Sequence, residues 1–166
     1  GAYFMVDMAH FAGLVAAVAV AMSLFHLYTA YAIVRPEHLR AVHVAFVLFL
    51  CFLMFPVAAR FRQRIMWWDW LAAAASIAVV AYLLMGGDDI TDRNTAPNPL
   101  DIVFGLALIG LVLEAMRRTN GWIMPAITSA FILYALFGPY LPNPWTHKGY
   151  EVGRLIGHMY MTLEGI

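Results

Sequence analysis

Apolar residues along this chain come in long runs, separated by short polar breaks that are rich in proline, glycine and arginine. Five runs approach or exceed the roughly 20 residues that a helix needs to cross a hydrocarbon layer. They lie near 11–34, 41–59, 66–86, 100–116 and 122–141. Unpaired backbone groups are costly in lipid, so runs of this length predict helices. The closing stretch has a different rhythm. In "YEVGRLIGHMYMTLEGI", Val152, Leu155, Ile156, Met159 and Leu163 share one helical face with Tyr160, and Glu151, Arg154, His158 and Thr162 share the other. That segment is too short and too amphipathic to span, and it predicts an interfacial helix lying on the membrane or against a partner. The expected fold class is therefore an all-α integral membrane protein with about five transmembrane helices and a C-terminal amphipathic helix. Its scaffold covers 1–141, and a proline-rich turn plus amphipathic helix covers 142–166.

The breaks carry helix start and stop signals. In "VRPEHLR", Pro36 suits the first turn of a helix, with Glu37 beside it. In "APNPLD", Asn98 can cap, Pro99 can open the helix and Asp101 falls at its third position. Pro56 is expected to loosen the end of the second span, and Gly138, Pro139, Pro142 and Pro144 to stop the fifth. The first run is too long for a signal-peptide core and has only Asp7 as a charge ahead of it, so it is expected to remain.

Composition confirms the solvent. The chain is 63% hydrophobic and 12% charged, about half the charge of a soluble domain. Its mean hydropathy is +0.76. A formal net charge of zero gives no reason to expect nucleic acid. The single cysteine, Cys51, sits in an apolar run and reads as a small buried hydrophobe. "RFRQRIMWWDW" then becomes interpretable: Arg60, Arg62 and Arg64 can reach headgroups, and Trp67, Trp68 and Trp70 can fill the aromatic belt below. Asp69 can pair with a neighbouring arginine, and the same cluster would also suit a contact with a partner subunit.

Five spans put Arg35, Arg40, Arg93, Lys148 and Arg154 on one side, against Arg60, Arg62, Arg64, Arg117 and Arg118 on the other. The second group occupies two short loops, while "GGDDITDR" adds three acids to the first. Short basic loops stay cytoplasmic. The expected orientation has the N-terminus in the cytoplasm and the amphipathic tail outside.

Candidate chemistry is sparse. Glu114, in "LVLEAMRR", stands three and four residues before Arg117 and Arg118 on one helix face. It reads as a rim ion pair or as a polar contact to a partner helix. Paired histidines between helices can hold haem. Taking the spans above, however, His26 and His43 would differ in depth by roughly 8 Å, a poor match for two ligands of one iron. His10, His38, His147 and His158 fall near or outside span ends. "DDITDRN" lacks the glycine and terminal glutamate of an EF-hand loop and reads as a solvated turn. No phosphate-cradling loop, Cys/His metal spacing or G-x-S-x-G elbow occurs, so no enzyme, metal or cofactor is expected. Ala72, Ala73, Ser76, Gly105 and Gly110 can allow close helix approach.

The run "PLDIVFGLALIGLVLEAMRRTNGWIMPAITSAFILYALFGPYLP", followed by "HKGYEVGRLIGHMYMTLEGI", resembles the front part of the fused membrane permeases of TRAP (tripartite ATP-independent periplasmic) transporters, TAXI class. The likeness extends from about Trp70 to the end and centres on "LEAMRRTNGW", "YALFGPYLP" and "TLEGI"; residues 1–60 share only general hydrophobic character. It implies a non-catalytic small membrane subunit or domain in a bacterial or archaeal inner membrane, bracing a large transport domain. That partner would move carboxylates delivered by a periplasmic binding protein, driven by sodium or protons. The fused permeases continue past "TLEGI" into the large domain, so the resemblance places substrate and coupling-ion residues there. The alternatives are the small membrane subunit of a tripartite tricarboxylate transporter and a haem-bearing respiratory membrane anchor.

Overall fold

The computed structural model describes residues 8–57 and 66–162. Arg60, Arg62, Arg64 and Leu163 lie outside these residues. Six α-helices and no strand occur among the described residues: α1 (Met8–Tyr31), α2 (Pro36–Met54), α3 (Trp67–Asp92), α4 (Pro99–Asn120), α5 (Ile123–Phe137) and α6 (Val152–Tyr160). A 3-10 turn, Gly138–Tyr140, follows α5. Among the described residues, five segments are long and apolar enough to cross a membrane, and the nine-residue α6 is not. The fold is thus an all-α membrane fold with a short amphipathic helix after the fifth span.

Two compact units divide the chain between Met85 and Gly86. In the first, α1 packs on α2. No residue of α1 within its spanning window is buried, whereas α2 buries Ala41, Leu48, Cys51, Phe52 and Leu53. Along α3, Ala73, Ser76, Val79 and Val80 are buried at three- and four-residue spacing, which defines one helical face. In the second unit α4 is the central element and packs against both α5 and α6.

The second helix begins and ends five residues earlier than the apolar run 41–59. Pro36 presets φ for the first turn, and Arg35 pairs with Glu37 there, so the helix starts within polar sequence. It ends at Met54 because Pro56 drives its predecessor out of helical space, and Phe55 is extended at φ −111°, ψ 108°. Pro56 therefore follows the helix instead of loosening its last turn.

The acidic stretch after the third span is not a simple turn. Gly87 breaks α3 at φ +49°, in left-handed space that glycine enters without a Cβ penalty. Helical residues resume to Asp92, and Ile90 is fully buried.

Candidate functional site

Three polar clusters stand out among the described residues, and each lies at or near a helix end. The first surrounds Asp101. Its carboxylate has no solvent exposure. Asp101 accepts a forked pair of hydrogen bonds from Arg93, at 2.8 Å from Nε and 3.0 Å from Nη2. It also accepts the Asn98 backbone N–H at 2.8 Å, the bond that a third-position carboxylate makes to a cap residue. A buried carboxylate persists only when its lone pairs are used in this way.

Helix α6 closes over this lock. Gly153 lies beside Pro97 and Ile102. A Cβ at Gly157 would collide with the Asn94 carbonyl, and one at Gly105 would collide with Ile156. The buried side of α6 is Ile156, Gly157 and Tyr160, continued by Met161, with Leu155 and Met159 half-buried. Val152, grouped with that face by periodicity, is 42% exposed in the first turn. The apolar side of α6 is therefore used against the chain's own fourth helix.

The second cluster is at the far end of α4. Glu114 takes both Nε and Nη2 of Arg117 at 2.7 Å, and Nε of Arg118 at 2.8 Å. The guanidinium of Arg117 also sits 5.3 Å from the Trp122 ring centroid. Both cations lie in the last turn, where they complement the helix dipole, and Gly121 at φ +75° ends the helix. This arrangement orders a helix end.

The third cluster is the pair His26 and His43. The depth mismatch expected from the sequence does not occur. With α1 ending at Tyr31 and α2 starting at Pro36, His26 lies five residues from one end and His43 seven from the other. Their depths are about 8 and 10 Å, within one side-chain length. The rings hydrogen-bond directly, with His43 Nδ1 2.9 Å from His26 Nε2 and the planes nearly perpendicular. The pair would have to part to admit a macrocycle between two axial ligands.

The remaining sequence candidates are placed as follows. Trp67 is 67% exposed and stacks edge-on with Trp68; Trp68 and Trp70 are half-buried. Asp69 is buried and accepts the Met66 N–H at 3.0 Å, serving the start of α3. Cys51 is buried.

A further contact network had no counterpart in the sequence reading. His147 donates from Nε2 to the Tyr134 carbonyl at 2.9 Å and accepts the Gly149 N–H at Nδ1 at 3.0 Å. Together with Tyr150 N–H to the Ala135 carbonyl, at 2.9 Å, it satisfies carbonyls in the last turn of α5. The only sequence clue is a histidine returning after a proline-rich turn.

Among the described residues no group of three or more His, Cys, Asp or Glu side chains converges as a metal site would require. Comparison with protein-family models, with curated proteins and with solved structures gave no match.

Proposed function

We propose that this chain is a non-catalytic membrane scaffold, the small subunit or domain of a TRAP-type secondary transporter of the TAXI class. In this reading it braces a large membrane partner that imports carboxylates delivered by a periplasmic binding protein, with sodium or proton coupling on that partner. It would sit in a bacterial or archaeal inner membrane with the N-terminus in the cytoplasm and α6 on the periplasmic side. The likeness of "LEAMRRTNGW", "YALFGPYLP" and "TLEGI" to those permeases is what supports this choice of family. The observation that supports a bracing role is where the carboxylates go: Asp69 and Asp101 serve helix starts, and Glu114 serves a helix end. A substrate pathway calls instead for broken helices and polar groups converging at mid-membrane.

The test is recovery from native membranes in mild detergent. A large polytopic partner in stoichiometric amount, joined by a peptide bond or not, together with a periplasmic binding protein, supports the proposal. Recovery alone or with respiratory subunits overturns it. The proximity of His26 and His43 keeps a haem-bearing anchor as the second reading, and a Soret band at one haem per chain would establish it in place of the first.

A further inference from the structure

The outer face of α5, within the second unit, changes character along its length. Ile123, Ile127, Phe131 and Tyr134 recur at spacings of four and three residues, and all are exposed on the chain's own surface. The stripe begins beside Trp122, which is exposed and carries the Arg117 guanidinium over its ring. It ends at Phe137 and Tyr140, whose ring centroids lie 6.4 Å apart, and passes into the loop 141–150. Trp145, Lys148 and Tyr150 are exposed there. Both ends therefore combine exposed aromatic rings with a cation, and the stretch between them is aliphatic or phenyl as far as Tyr134.

The interval between the ends is that of a bilayer. The spanning segment Ile123–Tyr140 has 18 residues, about 27 Å of helix, against roughly 30 Å of hydrocarbon. A helix that faces lipid needs apolar groups over this length, with Trp or Tyr and Lys or Arg at its limits. A protein partner imposes no such length.

The loop is built for the same layer. Pro142 and Pro144 have no N–H to desolvate. Leu141 and His147 donate their N–H groups to the Gly138 carbonyl, Trp145 to the Pro142 carbonyl and Tyr150 to the Ala135 carbonyl. The Tyr134 hydroxyl donates to the Trp145 carbonyl at 3.2 Å, and Thr146 Oγ1 to the Gly138 carbonyl at 3.4 Å. Both ring nitrogens of His147 are used, on the Tyr134 carbonyl and the Gly149 N–H. Polar groups are thus spent within the segment while Tyr140 and Trp145 remain 84% and 65% exposed. A backbone that satisfies itself is what a poorly hydrated layer demands, and rings with a polar tip suit its boundary with water. The Tyr150–Ala135 bond folds the loop back beside α5, level with the end of the span and not beyond it.

We propose that the α5 stripe and the loop 141–150 form a lipid-facing edge of the second unit. Trp122 and Arg117 lie in the headgroup layer of one leaflet, and Tyr140, Trp145 and Lys148 in that of the other. Phospholipid covers this edge, so a partner chain docks elsewhere. The proposal depends on the spans crossing a membrane and not on the transport reading.

The test uses the full chain, with whatever partner it carries, in nanodiscs of phosphatidylcholine and phosphatidylglycerol. Spin-labelled p-acetyl-phenylalanine replaces Trp122, Phe131 or Trp145, one at a time; all three sites are exposed, so no packed core is disturbed. Power-saturation EPR then compares collisions with oxygen, which concentrates in hydrocarbon, and with a nickel chelate, which stays in water. The label at 131 is expected to collide with oxygen and not with nickel, and to lie about 13 Å deeper than the label at 122. The label at 145 is expected at headgroup depth, like that at 122. Few collisions with either reagent at 131 would mean that protein covers the stripe, and frequent nickel collisions there would mean water; either overturns the proposal. So would a label at 145 as open to nickel as one in free solution. A lipid-exposed stripe in a particle without a transport partner would uphold this edge while refuting the transporter scaffold.

Discussion

Two glycines of α6, four residues apart, respond oppositely to the same substitution. A Cβ at Gly157 would enter the Asn94 carbonyl, a main-chain atom in a segment held by the Arg93–Asp101 fork, so neither side yields cheaply. Overpacking of this kind costs about 1–3 kcal/mol. A main-chain carbonyl cannot swing aside, so the upper part of that range applies, about 2–3 kcal/mol; alanine returns about 1 kcal/mol of helix propensity, which leaves a net loss of about 1–2 kcal/mol for Gly157→Ala. At Gly153 the added Cβ meets Pro97 Cγ at 3.5 Å, an ordinary contact. Gly153→Ala is therefore expected to gain about 0.5–1 kcal/mol, reduced from the full value because the site is in the first turn. Amide hydrogen exchange along α6, measured in nanodiscs, separates the two. Gly157→Ala should speed exchange about fivefold to thirtyfold, and Gly153→Ala should slow it about twofold to fivefold. If Gly157→Ala left α6 as protected as in the parent chain, the docking of α6 across Asn94 and Gly105 would be refuted.

Other perturbations probe the remaining clusters. Asp101→Asn should loosen the 93–98 segment and α6 together by about 2–4 kcal/mol, because it breaks a pair whose carboxylate is buried while Arg93 keeps some solvent; unchanged exchange in both would contradict the lock. Glu114→Gln should cost roughly 1–2 kcal/mol of stability, since the Arg118 side chain is only 3% exposed, yet leave uptake largely intact. Loss of uptake in a fully assembled complex would show that Glu114 does more than order a helix end. His147→Ala should free the segment after α5 and accelerate tryptic cleavage after Lys148 by roughly tenfold; a constant rate would mean the histidine does not hold that segment. Replacing Trp67, Trp68 and Trp70 together with alanine should impair assembly more than substrate affinity. Trp67→Ala alone is the cleaner test of anchoring, because Trp68 and Trp70 also carry packing; normal assembly in both would argue against an anchor.

Features that depend on local chemistry were legible in the sequence. Apolar run length predicts the five spans because lipid leaves the backbone no alternative to helix. Asn98, Pro99 and Asp101 mark the start of α4 because a cap is built within four consecutive residues. The register of α2 was obscured because a helix can begin in charged sequence, and "PEHLR" is helical without being apolar. That shift of five residues turned a matched histidine pair into an apparent mismatch. The Arg93–Asp101 fork was hidden for another reason: its partners are eight residues apart across the turn between α3 and α4, and spacing alone gives no partner choice over such a turn. Gly105 and Gly157 escape a search for apolar faces because their contribution is the absence of a side chain, visible only once the opposing surface is in place.

The central claim, a scaffold that braces a transport partner, is tested most directly by native mass spectrometry of the particle extracted from its own membrane. The account predicts this 18.5 kDa segment in one-to-one stoichiometry with a large polytopic transport domain, either as a bound subunit or within one longer polypeptide. A particle containing only copies of this chain, or one in which it accompanies haem-bearing respiratory subunits, would contradict it.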